Sequence, residues 1–515
     1  MAAEKGTNSA IPDPGSDSGY APGSGPASGP ELLIELDRAA RGSLRAQLEN
    51  GLREAVRSGR LAAGGRLPAT RALAADLGVS RRLVVDAYAQ LLAEGYLVAR
   101  HGAGTFVAEA AGALAPSPRE SVPRAVRFDF FPGYPDLASF PRGPWLRALR
   151  ETLREMPHDR LGYPDSHGAV ELRNALAEHL RRVRGVAADP GAIVVCSGAA
   201  QALVLLARVL AGVSAGPDVA TPQLQPRLRI AVEDPGLPPQ RRILAAYGAH
   251  VTALPVDEDG ARVGELKALT AGGERLDAVL VTPAHQSPTG VALAPERRAE
   301  LLEWAGANGA VVIEDDYDAE YRYDRAPLAA LQGLAPDRVI YLGTVSKTLA
   351  PALRLGWMVL PPRLVGAVAE EKVVADSGSP TLDQLALARL IESGAYDRHL
   401  RQARRRYRAR RDALVAAVAA HLPGARVTGV AAGLHAVVRL DREVEGAALV
   451  EAARGHSVAV YPLGYCYAEV RPRDEGLVLG YANLSEPAIE EGIRRLALAL
   501  ADLRGPTKEG GATLR

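Results

Sequence analysis

The segment Gly343 to Trp357 reads GTVSKTLAPALRLGW and contains a single lysine, Lys347. Of the 61 basic residues in the chain only five are lysines, so 61 − 5 = 56 are arginines. An uncharged lysine amine attacks a carbonyl carbon and forms an imine, whereas a guanidinium stays charged and does not. The lysine therefore indicates a position that needs an amine, while a solvated lysine at a strand end is the simpler alternative for any isolated lysine.

Short apolar runs recur along the chain on both sides of this segment. IVVC precedes Ser197, AVLV precedes Thr282, AVVI precedes Glu314 and VIYLG precedes Thr344, with helical stretches between them. Near-continuous apolar strands that alternate with helices predict an α/β fold with a mostly parallel sheet covered on both faces. In such a sheet, ligands bind at the carboxyl ends of the strands.

Polar groups follow four of these predicted strands. SGAAQAL after the first is a small-residue turn that leads into a helix, and a helix N-terminus suits a phosphate. EDDYDAEY places a carboxylate, Asp315, two residues before a phenol, Tyr317, and PAHQSPTG is a constrained loop. Hydroxyls and Arg354 flank Lys347. A phosphate-binding turn, a carboxylate for a ring nitrogen and an imine-forming lysine together indicate a pyridoxal phosphate site.

A different composition precedes this region, between about residues 31 and 108. Ser43, Thr70 and Ser80 are each predicted to cap a short helix, and the second and third helices are joined by GVS. YLVARHGAGTFV then predicts two strands around a glycine turn. Together these elements predict a winged helix-turn-helix.

The stretch from LPATRALAADLG to GAGTFV closely resembles the winged helix-turn-helix of GntR-family transcription regulators, which bind operator DNA. The third helix would enter a major groove and offer Arg81 and Arg82 from its N-terminus. The resemblance implies that Arg71, Arg81, His101 and Gly102 contact DNA, the last two from the wing. Val85 departs from family members that carry another DNA-contacting arginine one turn after Arg81.

The remainder of the chain, from FDFFPGYPDLASFP to LGYANLSEPAIEEGIRRLA, resembles the fold-type I aminotransferases. The joint architecture resembles the MocR subfamily of GntR regulators. The resemblance implies that Lys347 holds pyridoxal 5′-phosphate as a Schiff base, that Asp315 protonates the ring nitrogen and that Tyr317 bonds the phenolic oxygen. The implied phosphate ligands are Gly198, Ala199, Thr344 and Arg354, with Tyr163 reaching the phosphate from the second subunit of a homodimer.

Three positions depart from the aminotransferase pattern. Leu237 stands where a stacking aromatic is usual, Ser287 replaces an asparagine before PTG, and Val478 occupies the place of the arginine that holds a substrate carboxylate. These departures favour a transcription regulator that senses the cofactor or a small amine or amino acid. An active aminotransferase with a DNA-binding appendage is the alternative, and a scaffold that has lost its cofactor is a third hypothesis.

The sequence also sets boundaries and a cellular context. We predict a disordered tail at 1–30, the DNA-binding domain at 31–108, a linker at 109–126, the aminotransferase-like domain at 127–505 with a smaller α+β subdomain at about 384–505, and a tail at 506–515. The formal net charge of +1 does not by itself indicate that the chain as a whole binds nucleic acid or a membrane. Two cysteines fit a reducing cytoplasm, and no run of ~20 apolar residues is long enough to span a membrane. No metal site is expected.

Overall fold

The computed structural model describes residues 34, 36–38, 42–108, 126–215, 228–318, 320–323 and 328–503. The chain divides into two compact units, one ending at Arg124 and the other beginning at Ala125. The predicted tails at 1–30 and 506–515 lie outside the described residues, as does the predicted linker apart from its last residue.

The first unit is a three-helix winged module. Its elements are α1 (Leu44–Arg57), α2 (Thr70–Asp76), α3 (Arg81–Ala93), β1 (Leu97–Arg100) and β2 (Gly104–Val107). The hydroxyls of Ser43 and Ser80 accept hydrogen bonds from the first turns of α1 and α3, as predicted. The prediction for Thr70 was wrong, because the extended residue Ala69 precedes the helix and Thr70 already lies within its first turn.

Fourfold apolar spacing explains the packing of this unit. Leu48, Leu52 and Val56 lie on one face of α1 and are buried against Val84 and Leu91 of α3. Burying each such side chain contributes about 1.5–3 kcal/mol. β1 and β2 pair antiparallel and form the predicted wing.

The second unit is built around an eight-stranded sheet. Its strands are β4 (Ile193–Cys196), β5 (Leu228–Asp234), β6 (Ala249–Asp257), β7 (Gly260–Ala261), β8 (Ala278–Val281), β9 (Val311–Asp315), β10 (Val339–Thr344) and β11 (Gly356–Val359), in the order β4-β11-β10-β9-β8-β5-β6-β7. β10, β9, β8, β5 and β6 are parallel, whereas β11 runs antiparallel to both of its neighbours. The prediction of a mostly parallel sheet is confirmed.

Helices cover both faces of this sheet. The helices of this unit are α4 (Arg142–Glu155), α5 (Val170–Arg184), α6 (Ala199–Ala215), α7 (Pro238–Ala246), α8 (Val263–Ala271), α9 (Pro295–Asn308), α10 (Pro362–Asp376), α11 (Thr381–Glu392), α12 (Ala395–His421), α13 (Gly446–Gly455) and α14 (Glu486–Asp502). Ile313 packs on the face covered by α6, α7 and α10, and Val312 packs on the face covered by α8 and α9. Alternate residues of β9 thus meet different helices, which explains the continuous apolar run.

A smaller antiparallel sheet lies in the last third of the unit. It contains β12 (Arg426–Thr428), β13 (His435–Glu445) and β15 (Arg473–Gly480). β3 (Phe128–Asp129) pairs in parallel with β14 (Val458–Ala459), so the start of the unit is joined to its C-terminal part. Within the ranges described above, no helix is long and apolar enough to cross a membrane.

Candidate cofactor site and DNA-binding surface

The parallel sheet brings the predicted site residues together. β9 ends at Asp315 and β10 ends at Thr344, and the two strands are neighbours in the same direction. The carboxyl ends of parallel strands meet at one edge of a sheet, which is where ligands bind in α/β folds. Lys347 follows β10 by three residues and therefore lies at the same edge.

Lys347 is held with its amine in a largely buried environment. Its Nζ donates a 2.6 Å hydrogen bond to the carbonyl oxygen of Gly133. Burial lowers the pKa of the amine from its ordinary value, while Asp318 and Asp315 act in the opposite direction. Because only the uncharged amine attacks a carbonyl carbon, a lowered pKa favours covalent attachment.

Only one of the two carboxylate oxygens of Asp315 has a hydrogen-bond partner among the described residues. Gln240 Nε2 donates a 2.6 Å hydrogen bond to Oδ2, and Oδ1 is buried without a hydrogen-bond partner among the described residues. Burial, followed by the charges of Asp316 and Asp318, raises the pKa of Asp315 to about 7. A protonated ring nitrogen would give Oδ1 the donor that it lacks, so this carboxylate fits pyridoxal 5′-phosphate.

The predicted phosphate ligands surround the start of α6. Gly198 has φ +89°, and a Cβ there would lie 3.5 Å from Arg354 Nη1. The Arg354 guanidinium donates to the carbonyl oxygen of Ser197, and Thr344 Oγ1 lies 2.9 Å from Ser346 Oγ. Arg354 itself has φ +49°, a left-handed conformation that is uncommon outside glycine and is found at functional sites. Backbone N–H groups, hydroxyls and a guanidinium suit a phosphate dianion.

Tyr317 lies beside a second polar group that the sequence did not reveal. Its hydroxyl is 3.1 Å from His285 Nδ1 and forms a hydrogen bond with Ser287, the residue that replaces the family asparagine. Burial raises the pKa of Tyr317 well above its ordinary value. The phenol therefore stays protonated and is available as a hydrogen-bond donor.

Tyr163 is the predicted phosphate ligand that lies on the surface of the single chain. Its side chain is 95% exposed. A nearly complete exposure of a tyrosine is consistent with a residue that serves another subunit, which is the role implied for it above. Its function stays a prediction.

The predicted DNA contacts lie on one module. Arg71 on α2 and Arg81 and Arg82 at the start of α3 are exposed, and His101 and Gly102 form the turn of the wing. Val85 is 41% exposed, one helical turn after Arg81. A slim helix with basic residues at its N-terminus has the shape and charge to enter a major groove.

Sequence reasoning missed Gln240, Gly133, His285 and Asp318 near the site. Gln240 lies in α7, three residues after Leu237, and a lone glutamine in a sequence does not indicate a site. Gly133 contributes a backbone carbonyl, which any residue has. His285 and Asp318 lie in the segments PAHQSPTG and EDDYDAEY, which were quoted above. Their positions just after predicted strands could have indicated that they lie near the site.

Comparison with known proteins places both units in known families. Residues 134–496 match the aminotransferase class I and II family, and residues 44–107 match the gntR family of bacterial regulatory proteins. The chain is 37% identical over 498 residues to the "Probable rhizopine catabolism regulatory protein MocR" of Rhizobium meliloti, covering 92% of this chain and 96% of that protein. It is 34% identical over 465 residues to the HTH-type pyridoxine biosynthesis transcriptional regulator PdxR of Corynebacterium glutamicum, covering 89% of this chain and 96% of the relative.

Solved aminotransferases share the fold of the second unit. The multiple substrate aminotransferase of Thermococcus profundus superposes with a TM-score of 0.66 at 28% identity, covering 74% of this chain and 92% of that chain. LysN, the α-aminoadipate aminotransferase of Thermus thermophilus, was solved with N-(5′-phosphopyridoxyl)-L-leucine. It superposes with a TM-score of 0.65 at 28% identity, covering 74% of this chain and 93% of that chain.

The fold and the site define a pyridoxal-phosphate-binding transferase unit joined to a winged helix-turn-helix. Its large sheet is that of the aminotransferases, and its N-terminal module is that of DNA-binding regulators. The chain belongs to the MocR subfamily of GntR-family transcription regulators. Its cofactor is pyridoxal 5′-phosphate, which supplies a carbonyl carbon for the capture of an amine and a ring that accepts electrons.

Proposed function

We propose that this regulator uses its aminotransferase-like unit as a sensor, in which Lys347 attaches the cofactor and a small amine or amino acid exchanges with that lysine. Asp315 and Tyr317 would hold the ring, and Gly198, Ala199, Thr344 and Arg354 would hold the phosphate. Each group supports this assignment by its place at one edge of the sheet. A binding event of this kind alters DNA affinity only if the effector prefers one arrangement of the protein over another.

The observation that carries the sensor proposal is the environment of Val478. Val478 is 1% exposed and packs with Val437 and Leu463 in an apolar cluster. Aminotransferases use an arginine at the corresponding place to fix a substrate carboxylate, and positioning of that kind accounts for a large part of a rate enhancement. Leu237, which stands where a stacking aromatic is usual, is only half-buried. An amine would therefore bind and remain poorly oriented for turnover.

We further propose that the active form is a cytoplasmic homodimer. Tyr163 would reach the phosphate of the partner subunit, and the sensor and DNA-binding domains would span 127–505 and 31–108. Arg71, Arg81, Arg82, His101 and Gly102 would contact the operator. A two-fold dimer fits DNA recognition, because operators with two half-sites mirror protein symmetry.

Two experiments test the proposal. Borohydride reduction followed by peptide mass mapping should place the cofactor on Lys347, and Lys347→Ala should abolish this label while Lys267→Ala retains it. Lys267 is a matched control because its amine is exposed and pairs with Glu300 at 3.3 Å. Label on Lys267 or Lys372 in the native protein would overturn the assignment.

The second experiment separates a sensor from an enzyme. Steady-state transamination is measured across a panel of amino acids, beside operator titrations with and without pyridoxal phosphate. A sensor gives weak turnover and a cofactor-dependent change in operator affinity or bending. Rapid multiple turnover, with DNA binding indifferent to the cofactor, would favour the aminotransferase alternative, whose support is the complete set of Asp315, Tyr317 and Lys347.

A further inference from the structure

A buried carboxylate–imidazole pair lies beside the cofactor site. Asp318 is 1% exposed and His285 is 3% exposed. His285 Nδ1 lies 3.0 Å from Asp318 Oδ2 and 3.2 Å from Oδ1. The same nitrogen lies 3.1 Å from the hydroxyl of Tyr317. One ring nitrogen thus contacts both an acid and the phenol that is proposed to hold the cofactor.

The chemistry of these groups assigns the hydrogens. The oxygens of a carboxylate accept hydrogen bonds, so we place the hydrogen of the imidazole on Nδ1, donated towards Asp318. The Tyr317 oxygen, at a similar distance, accepts a share of the same hydrogen. Its own O–H hydrogen is consequently directed away from His285, where it serves as a donor.

The pair is closely packed by its neighbours. A Cβ at Gly433 would lie 2.1 Å from His285 Cε1 and 2.8 Å from Asp318 Oδ2, so only glycine fits there. The ring of His435 lies 5.4 Å from that of His285, and its Nε2 is 3.1 Å from the carbonyl oxygen of Pro288. His285, on the loop after β8, is therefore packed against the start of β13 and the glycine that precedes it.

Asp318 also affects the charge state of the Lys347 amine. Asp318 and Asp315 both favour the charged form of the amine, with Asp318 the stronger of the two. When the cofactor is bound, the negative charge of Asp315 would be paired with the ring nitrogen. Asp315 would then contribute less to stabilising a positive charge on Lys347. Asp318 then remains as the acid that balances a positive charge at Lys347. The titratable groups that bear on Asp318 are Lys347, Asp315, Tyr317, Glu320, Tyr323, Tyr481, His285 and His435.

We propose that Asp318, held by His285, is a positioning residue of the site: its carboxylate balances the positive charge on the Lys347 nitrogen and keeps the Tyr317 hydroxyl pointing at the cofactor. The inference rests on the proposed attachment of the cofactor to Lys347. Asp318 touches neither the cofactor nor the effector in this role, and it acts through its charge and through His285.

The test is a pH titration of the visible absorption band of the cofactor-loaded protein. Asp318→Asn removes the negative charge that stabilises a protonated Lys347 nitrogen, so the midpoint should move to lower pH by about one unit or more. Asp318→Glu keeps the charge and should restore most of the native midpoint. Asp257→Asn removes a carboxylate that pairs with Arg297 away from these residues and should leave the midpoint unchanged.

A second variant guards against a folding defect in Asp318→Asn. His285→Leu removes the imidazole that holds the Asp318 carboxylate in place, so its midpoint should move in the same direction by a smaller amount. Unchanged or raised midpoints in both variants would overturn the role of Asp318. A native protein with no cofactor band would instead contradict the attachment at Lys347, so the two failures are distinguishable.

Discussion

Gln240 donates a 2.6 Å hydrogen bond to Asp315 across 75 residues of sequence. The donor is neutral, so it orients the carboxylate without cancelling its charge. The other oxygen, Oδ1, is left for a charged donor. The hydrogen bond thus fixes the position of a buried acid without removing its charge.

Gln240→Leu should weaken binding of pyridoxal phosphate about ten- to a hundredfold. A hydrogen bond to a charged group contributes about 1.5–3 kcal/mol, and the carboxylate is fully charged only when the ring nitrogen is bound. Dissociation constants from absorbance titrations measure the loss. Gln90→Leu is the control, since Gln90 bonds Glu94 within the first unit. Equal affinity of the Gln240 variant and the native protein would show that the amide does not orient Asp315.

The stability of the cofactor-free protein should fall most clearly between about pH 6.5 and somewhat above pH 7, because at lower pH the buried His179 and His435, whose pKa values burial lowers to about 4, act in the opposite direction. Burial raises the pKa values of Glu233, Glu314 and Asp315 to about 7. An acid whose pKa is raised by folding favours the folded state below its unfolded pKa, and this contribution disappears as the pH passes the folded value. Urea unfolding at a series of pH values measures the slope.

Asp315→Asn should reduce that slope by up to about 1.4 kcal/mol per pH unit, the value for one proton. Adding pyridoxal phosphate to the native protein should act in the same direction, since the ring nitrogen would share the charge of Asp315. A slope that is identical in Asp315→Asn and the native protein would contradict the raised pKa of this residue.

Arg184→Met should destabilise the second unit by about 3–5 kcal/mol, because it leaves Asp316 buried without its cation. Arg184 Nε lies 2.7 Å from Asp316 Oδ2, and both side chains are 2% exposed. Arg182→Met is a matched control: Arg182 lies 2.7 Å from Asp397, but its side chain is 54% exposed. The exposed pair should contribute about 0–1 kcal/mol. Chemical denaturation measures the free energy of unfolding of both variants. Equal losses of stability would show that burial does not determine the contribution of the ion pair.

Arg81→Ala should weaken operator binding, with a loss of about 1–3 kcal/mol of base discrimination if Arg81 contacts a base edge. If it contacts phosphate, the salt dependence should fall by about one unit and specificity should persist. Titrations at several salt concentrations, on specific and scrambled DNA, separate these outcomes. Arg45→Ala is the control, because Arg45 pairs with Glu49 on α1 at 2.7 Å. Unchanged binding would show that another element reads the operator.

The sequence predicted the parts of the site that obey a local or topological rule. Lys347, Asp315 and Thr344 follow apolar strands, and parallel strands bring their carboxyl ends together. The helix caps Ser43 and Ser80 follow from side-chain chemistry within one turn. Such residues could be predicted because either one turn of chain or the topology of a parallel sheet determines where they lie.

The remaining site residues approach through tertiary packing. Gly133 meets Lys347 from 214 residues away, and the contact uses a backbone oxygen that no residue type signals. Gln240 reaches Asp315 from a helix after a different strand. Thr70 was misassigned because a hydroxyl residue at a helix start also fits the first turn, and only the backbone angles of Ala69 separate the two positions.

The residue after Lys347 is tied to the near end of α12. Tyr396 donates a 2.8 Å hydrogen bond to Thr348 Oγ1, and His399 Nε2 donates one of 2.8 Å to the carbonyl oxygen of Thr348. α12 has 27 residues, which at 1.5 Å per residue gives a rod about 40 Å long. Its far end, at His421, bonds Glu490 of α14. The residue next to Lys347 is thus hydrogen-bonded to one end of a long helix whose other end is bonded to α14, so the site lysine and the smaller C-terminal sheet belong to one continuous packed body.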